Sequence, residues 1–364
     1  MEIVKLMQTK VRNSNIEFLR IFSMFLIVAY HAATNSILYD NDVLILGSFI
    51  NKISIASLYP CGRIGVMLFF MITGFFLADK TTRNCNKIII KTCFYSFITV
   101  LTFFIIKYII KCPIQSYGGG RTLLQFFFPV SSGVIWFTTS YLFILAVLPI
   151  INGFLNKLTF KGFIILLCFL DFIPFGIGNI LNVPYVRLYE ALFFYSTGVF
   201  YNKYMIGKNI NKVVIIFLSL LIYLGAIILS FEYIDMLISQ NRFAFCIPFF
   251  IDTLIVPLIC MGIFTITINK KMVENKFINL ISGSTLAVYL LHGSVFQKYI
   301  WEQLFNVKEV YLNNYFPLKI LVISFIVFVS CILIDLFCNK FIFPFINKKI
   351  IRIAERLKNI CIKS

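Results

Sequence analysis

The sequence is poor in charge, poorer still in acids, and almost without histidine. Of its 364 residues only 13% are Asp, Glu, Lys or Arg, with 15 acids and two histidines. A water-soluble domain carries about a quarter charged residues, so a single soluble core is excluded. A disordered chain needs polarity and is excluded too. The ten cysteines are scattered and form no C-x-x-C pair, which excludes a disulfide or redox scaffold. They read as small buried hydrophobes. Two histidines cannot complete a Cys/His zinc site of the usual spacing, so no metal is expected. No cleavable signal peptide is evident, because the first apolar run is too long and lacks a small-residue cleavage site. Gly118-Gly119-Gly120-Arg121 lacks the strand-to-helix context of a phosphate loop and reads as a hinge in an outer loop.

What is present is apolar: 60% of the chain is hydrophobic and 43 residues are Phe. A hydrocarbon core of about 30 Å takes ~20 apolar residues as a helix. Ten such windows lie near 16–36, 61–79, 88–110, 134–155, 162–178, 187–202, 213–231, 244–268, 277–298 and 318–346. Nothing alternates as barrel strands do. The expected fold is therefore an all-α polytopic integral membrane protein of about ten transmembrane helices. Its parts are a basic tail (1–15), the transmembrane unit (16–346) and a second basic tail (347–364). The 33 basic residues leave a net charge of +18. A basic nucleic-acid binder is a polar chain, so no nucleic acid is expected as partner. With the N-terminus inside, 20 Lys and Arg fall on cytoplasmic segments and 7 on outer ones. The positive-inside rule then puts both termini in the cytoplasm.

Ionisable residues within spans are costly and are functional candidates by default. The first span carries Glu17, Arg20 and His31. Arg20 and His31 are 11 positions apart, three turns plus ~20°, so they share a helix face with a rise of ~16 Å. Glu17 and Arg20, at i and i+3, can pair. The second span opens with Arg63 in GRIGVMLFFMITGF, where Gly65, Thr73 and Gly74 permit close helix contact. Tyr289 and His292 share a face of STLAVYLLH. Both histidines fall in the outer half of their spans. Plainer readings stand beside these. A membrane histidine can be interhelical glue, Arg20 and Arg63 can snorkel, and Arg187 with Glu190 reads as a structural pair. Asp171, Asp252 and Asp335 are further buried acids.

Four segments together resemble the acyltransferase type 3 family, polytopic bacterial membrane O-acyltransferases. NIEFLRIFSMFLIVAYHA has the family's Arg followed after ten residues by His, here Arg20 and His31. GRIGVMLFFMITGF, IWFTTSYLFILAVLPIIN and STLAVYLLH are similar to its second-span, Trp-Phe…Tyr-Leu…Pro and late Ser…Tyr-Leu-x-His patterns, in family order. Members often carry more than one basic residue at the start of the second span, whereas only Arg63 is present here. The stand-alone unit is expected, without the extra hydrolase-like domain of some members.

The resemblance implies transfer of an acyl group, usually acetyl, in the bacterial cytoplasmic membrane. The donor would be cytoplasmic acetyl-CoA or another acyl-CoA, with no other cofactor. The acceptor would be a hydroxyl of a cell-surface or lipid-linked saccharide. Arg20, near the cytoplasmic side, suits the donor's phosphates. His31 suits a general base. Arg63 or Tyr289 are candidates for the oxyanion and His292 for positioning the acceptor. A transporter or flippase fits the composition equally but would favour repeats and paired broken helices. A polysaccharide polymerase would call for longer outer loops.

Overall fold

The computed structural model describes residues 12–111, 129–130, 135–178, 181, 186–208 and 211–346. Gly118–Arg121 and most of both basic tails lie outside the described residues. Among the described residues every regular element is a helix. In chain order these are α1 (Ser14–Thr34), α2 (Asn41–Leu46), α3 (Phe49–Leu58), α4 (Cys61–Leu77) and α5 (Asn86–Phe104). Then come α6 (Trp136–Ala146), α7 (Leu148–Leu155), α8 (Phe160–Leu170), α9 (Val186–Phe200), α10 (Lys212–Ile238) and α11 (Cys246–Phe250). The last five are α12 (Val256–Ile268), α13 (Lys276–Ser282), α14 (Thr285–His292), α15 (Val307–Tyr311) and α16 (Phe316–Phe341). Short π-helical turns extend several of them, among them Asp171–Ile177 after α8 and Ile251–Ile255 between α11 and α12. Asn13, Asn211 and Asn275 start α1, α10 and α13, each accepting from first-turn N–H groups through its side chain.

Each of the ten sequence windows is helical, but not every one is a span-length helix. Among the described residues six helices are long and apolar enough to cross a membrane, or seven if α6 and α7, bent by 71°, are one span. The window 61–79 joins α3 in one stretch over Phe49–Leu77, whereas 277–298 is interrupted between α13 and α14. Apolar length in the sequence therefore does not separate an unbroken helix from one in pieces.

The bundle is organised around α4. The most apolar 18-residue window within Phe49–Leu77 is 83% buried, against 11% for that of α10, whose Phe217, Leu220 and Leu224 point outward. A helix apolar on every side belongs either in a core or in lipid, and burial separates the two cases. What lets α4 sit centrally is the lack of side chains at its contacts. A Cβ on Gly74 would collide with the Tyr195 carbonyl of α9, and one on Gly198 would collide with the Met71 carbonyl of α4. The two backbones therefore approach through reciprocal glycines, the small-residue packing that lipid-embedded helices rely on. On its other side Gly65 lies against the Ser23 carbonyl of α1, so two of the three small residues singled out in the sequence serve helix contact.

One buried ion pair ties α5 to α16. Lys91 Nζ donates to both oxygens of Asp335, at 2.8 and 2.9 Å, and the same carboxylate accepts from Tyr95 (2.6 Å) and Asn339 (2.7 Å). Asp335 is fully buried and satisfied, as a charge in this setting must be.

Gly198→Val is expected to destabilise the bundle by about 2 kcal/mol or more through overpacking. Gly225→Ala, where a Cβ would meet nothing within 4 Å, should be neutral or mildly stabilising. Thermal unfolding of both variants in detergent checks this.

Candidate active site

The two histidines of the chain meet. His31 lies near the end of α1 and His292 ends α14, 261 positions away; Nδ1 of His31 is 2.9 Å from Nε2 of His292. The other ring nitrogen of His292, Nδ1, is 2.6 Å from the Val288 carbonyl one turn earlier in α14. A carbonyl only accepts, so Nδ1 of His292 carries the proton. In neutral His292, Nε2 is then the acceptor, and His31 donates to it from Nδ1. The proton positions follow from this chain of partners. Nε2 of His31 is left with its lone pair. His292 is 0% exposed, while His31 is half-buried. The backbone carbonyl thus sets one tautomer, which sets the other, and the basic nitrogen falls on the more accessible ring.

Both ring nitrogens of His292 are engaged. His292 thus lies directly beside His31, with its second nitrogen turned to its own helix. Tyr289 packs edge-on to His292 with centroids 6.3 Å apart, and its ring lies 5.0 Å from that of Phe137. It is therefore joined to the pair through His292.

At the other end of the same two helices lies a cavity of about 130 Å³, lined by Arg20, Arg83, Thr138, Tyr141, Ser282 and Thr285 among others. Arg20 pairs with Glu17 at 3.0 Å, as the i, i+3 spacing suggests, and Ser282 donates to that carboxylate. The carboxylate thus joins Arg20 of α1 to Ser282 of α13. Thr138 is fully buried, and its Oγ1 has no hydrogen-bond partner among the described residues. Arg20 and His31 share α1 while Thr285 and His292 share α14, so the two helices run alongside with the cavity at one end and the histidine pair at the other. The ~16 Å rise from Arg20 to His31 spans that distance.

Arg63 is held elsewhere. Its guanidinium pairs with Glu190 of α9 and, at 3.3 Å, with Asp252. Glu190 also takes Arg187 at 3.0 Å, the pair expected from spacing. Two arginines and two carboxylates thus form a locally neutral network. Asp252 reaches it from the π-turn Ile251–Ile255, where the extra backbone residue re-aims the side chain. The network borders the histidines through Tyr30, whose ring lies against Gly62 on one side and 5.5 Å from the His31 ring on the other. Arg63 is committed to these carboxylates, which suits it to holding α4, α9 and the π-turn together.

Sequence reasoning missed Arg83, Thr138, Tyr141, Ser282 and Thr285 as lining residues. Arg83 sits in the connection between α4 and α5, where no helical spacing predicts its direction. Thr138 and Tyr141 lie inside IWFTTSYLFILAVLPIIN and Thr285 inside STLAVYLLH, two of the segments that carry the resemblance, which is the nearest thing to a signal. Among the described residues no group of three or more His, Cys, Asp or Glu is arranged to hold a metal ion.

Residues 13–336 match a family model described as an acyltransferase domain. No curated protein and no solved structure matches the chain.

Proposed function

The chain belongs to the acyltransferase type 3 family over most of its length, and on that premise we propose that it moves an acyl group from acyl-CoA to a saccharide hydroxyl, with His31 as general base. The observation that carries this reading is the hydrogen-bonded chain Val288 carbonyl–His292–His31, which leaves a lone pair at His31 Nε2.

A sugar hydroxyl is a weak nucleophile while it keeps its proton. In the proposed reaction His31 Nε2 takes that proton as the oxygen attacks the thioester carbonyl. The tetrahedral intermediate collapses, the carbon–sulfur bond breaks, and the departing thiolate recovers the proton from His31. The products are an ester and free CoA. While His31 is protonated, its Nδ1–H continues to donate to His292, so the ring does not turn away from the reacting atoms. His292 acts as a positioning residue.

The cavity at the Arg20 end supports the donor half. Acyl-CoA is strongly anionic, and two arginines lining one cavity offer charge-assisted hydrogen bonds to its phosphates. The unpartnered Thr138 hydroxyl suits an amide of the pantetheine arm. The arm lies along α1 so that the thioester reaches His31 while the nucleotide stays at the charged end. Acetyl is the acyl group in this reading. The basic distribution supports an arrangement with the Arg20 end facing the cytoplasm, both termini inside and ten crossings, the shorter helices included. The membrane is the bacterial cytoplasmic membrane.

His31→Ala should lower transfer by about 10²–10⁴-fold while the protein still inserts and folds. Mass spectrometry of the surface glycan from cells carrying the variant reads this. Loss of an acyl mass at unchanged glycan length supports acyl transfer. Wild-type acylation overturns it, and loss of the whole glycan favours transport or polymerisation.

His292→Phe should reduce kcat by about ten-fold or more with KM for acyl-CoA within about two-fold, because orientation of the base is lost and donor contacts are not. His292→Gln, whose amide oxygen can accept from His31 Nδ1–H, should recover part of the loss. A matched fall in both parameters, or no rescue by Gln, returns His292 to a packing role.

Arg20→Ala and Arg83→Ala should each weaken acyl-CoA binding by about ten-fold, the size of a lost charge-assisted hydrogen bond. Titration of acetyl-CoA in membranes measures it, and an unchanged midpoint removes that arginine from the donor site.

A further inference from the structure

The end of α1 beyond His31 opens into a second cavity, of about 490 Å³ and strongly polar. Its lining includes Asn35, Ser36, Tyr39, Asp40, Asp42, Glu302 and Lys308. It begins one helical turn past the base, since the Asn35 amide donates to the His31 carbonyl at 3.2 Å. That is a rise of about 6 Å along the axis.

Three observations give this cavity the character of a site. Ser36 is only 4% exposed, and neither its Oγ nor the Nδ2 of Asn35 has a hydrogen-bond partner among the described residues. Buried polar atoms are nearly always satisfied, and those that are not ask for an occupant. Second, Tyr39 is 70% exposed beside them, a large ring that neither packs in the core nor is turned away. Third, the lining carries three carboxylates against two nearby ammonium groups, Lys308 on Asp40 and Lys298 on Glu302. Lys308 Nζ donates to Asp40 at 2.6 Å, which holds the Asp40 carboxyl below its ordinary range and raises Lys308. Asp40 also caps α2 through Val43 N–H, so that pair fixes the rim; Glu302 pairs with Lys298 at 3.9 Å, and Asp42 leaves the cavity with one negative charge in surplus.

Resting on the proposed transferase function, we infer that this cavity is the acceptor site and that it takes a neutral, polyhydroxylated saccharide in preference to an anionic one. Sugar hydroxyls both donate and accept. Carboxylates meet the donating half, Asn35 Nδ2 the accepting half, and Ser36 Oγ either. The apolar C–H face of a pyranose ring stacks on an exposed aromatic such as Tyr39. The surplus of negative charge repels a phosphorylated or carboxylated sugar. The arginine-lined cavity at the other end of α1 has the opposite polarity, so the two substrates are sorted by charge before they meet at His31.

The test is saturation-transfer NMR on the full chain in phosphatidylcholine nanodiscs, free of sugar detergents. The probes are methyl glucoside, methyl N-acetylglucosaminide and glucose 6-phosphate. Neutral probes should show transfer in the wild-type protein and in His31→Ala. In Tyr39→Ala and Asp42→Ala, exposed positions that leave the core intact, affinity should fall about five-fold. Full transfer in both rim variants, no transfer from either neutral probe, or equal transfer from glucose 6-phosphate overturns the assignment. The outcome is separable from that of the transferase reading. Probe binding at the rim without acyl transfer would sink the reaction and keep the site. Acyl transfer with an unaltered acceptor KM in the rim variants would do the reverse.

Discussion

A polar group inside an apolar bundle must be met by protein, since no water is there to meet it. Almost every ionisable side chain that this bundle buries obeys the rule by long-range pairing. Lys91 meets Asp335 across α5 and α16, Arg63 meets Glu190 and Asp252 across α4, α9 and the π-turn, and Glu17 meets Arg20 and Ser282. These contacts fix which helices touch and at what depth, while the apolar surface between them is interchangeable in kind. The glycine contacts of α4 have the same effect from the other direction, by allowing only one depth of approach. The acceptor nitrogen at His31 Nε2 stands out against that background. It is what the rule leaves over once Val288 and His292 have taken their partners, and it lies on the half-buried ring.

The helical class and the shared face of Arg20 and His31 were legible in the sequence because both follow from local period and composition. So were the two i, i+3 pairs, Glu17–Arg20 and Arg187–Glu190. The similar depth of the histidines was legible as well, but their contact was not. It joins positions 261 apart, and only the packing of α14 against α1 brings them together. Arg63 shows the limit from the other side. Its place at the head of α4 was evident, yet the two carboxylates that take up its charge come from α9 and from a π-turn that no periodicity announces. The span count differs for a similar reason. Hydropathy cannot tell a continuous helix from one broken at Gly283–Ser284 or bent at Val147, because the broken pieces are as apolar as the whole.

The two cavities give the proposed chemistry a direction. A transferase working across a membrane must bring together a charged donor confined to one face and an acceptor on the other without opening a path for either. Here the cavity proposed for the donor is about 130 Å³ and the one proposed for the acceptor about 490 Å³. Between them lies the length of α1, packed by the core and carrying the histidine pair nearer its acceptor end. A flexible acyl arm is narrow enough to lie along such a helix, whereas a nucleotide with its phosphates is not, and its charge is better met by Arg20 and Arg83 than by the carboxylates beyond. Electrostatic sorting of this kind discriminates before chemistry begins. It places the burden of specificity on the rim residues and leaves the base free to act on whichever hydroxyl the rim presents. Acceptor choice can then change through Tyr39, Asp42 and Glu302 while Val288, His292 and His31 stay as they are. In the proposed reaction the site divides into a fixed base and a variable rim, a division that rests on where the buried polar atoms do and do not find partners.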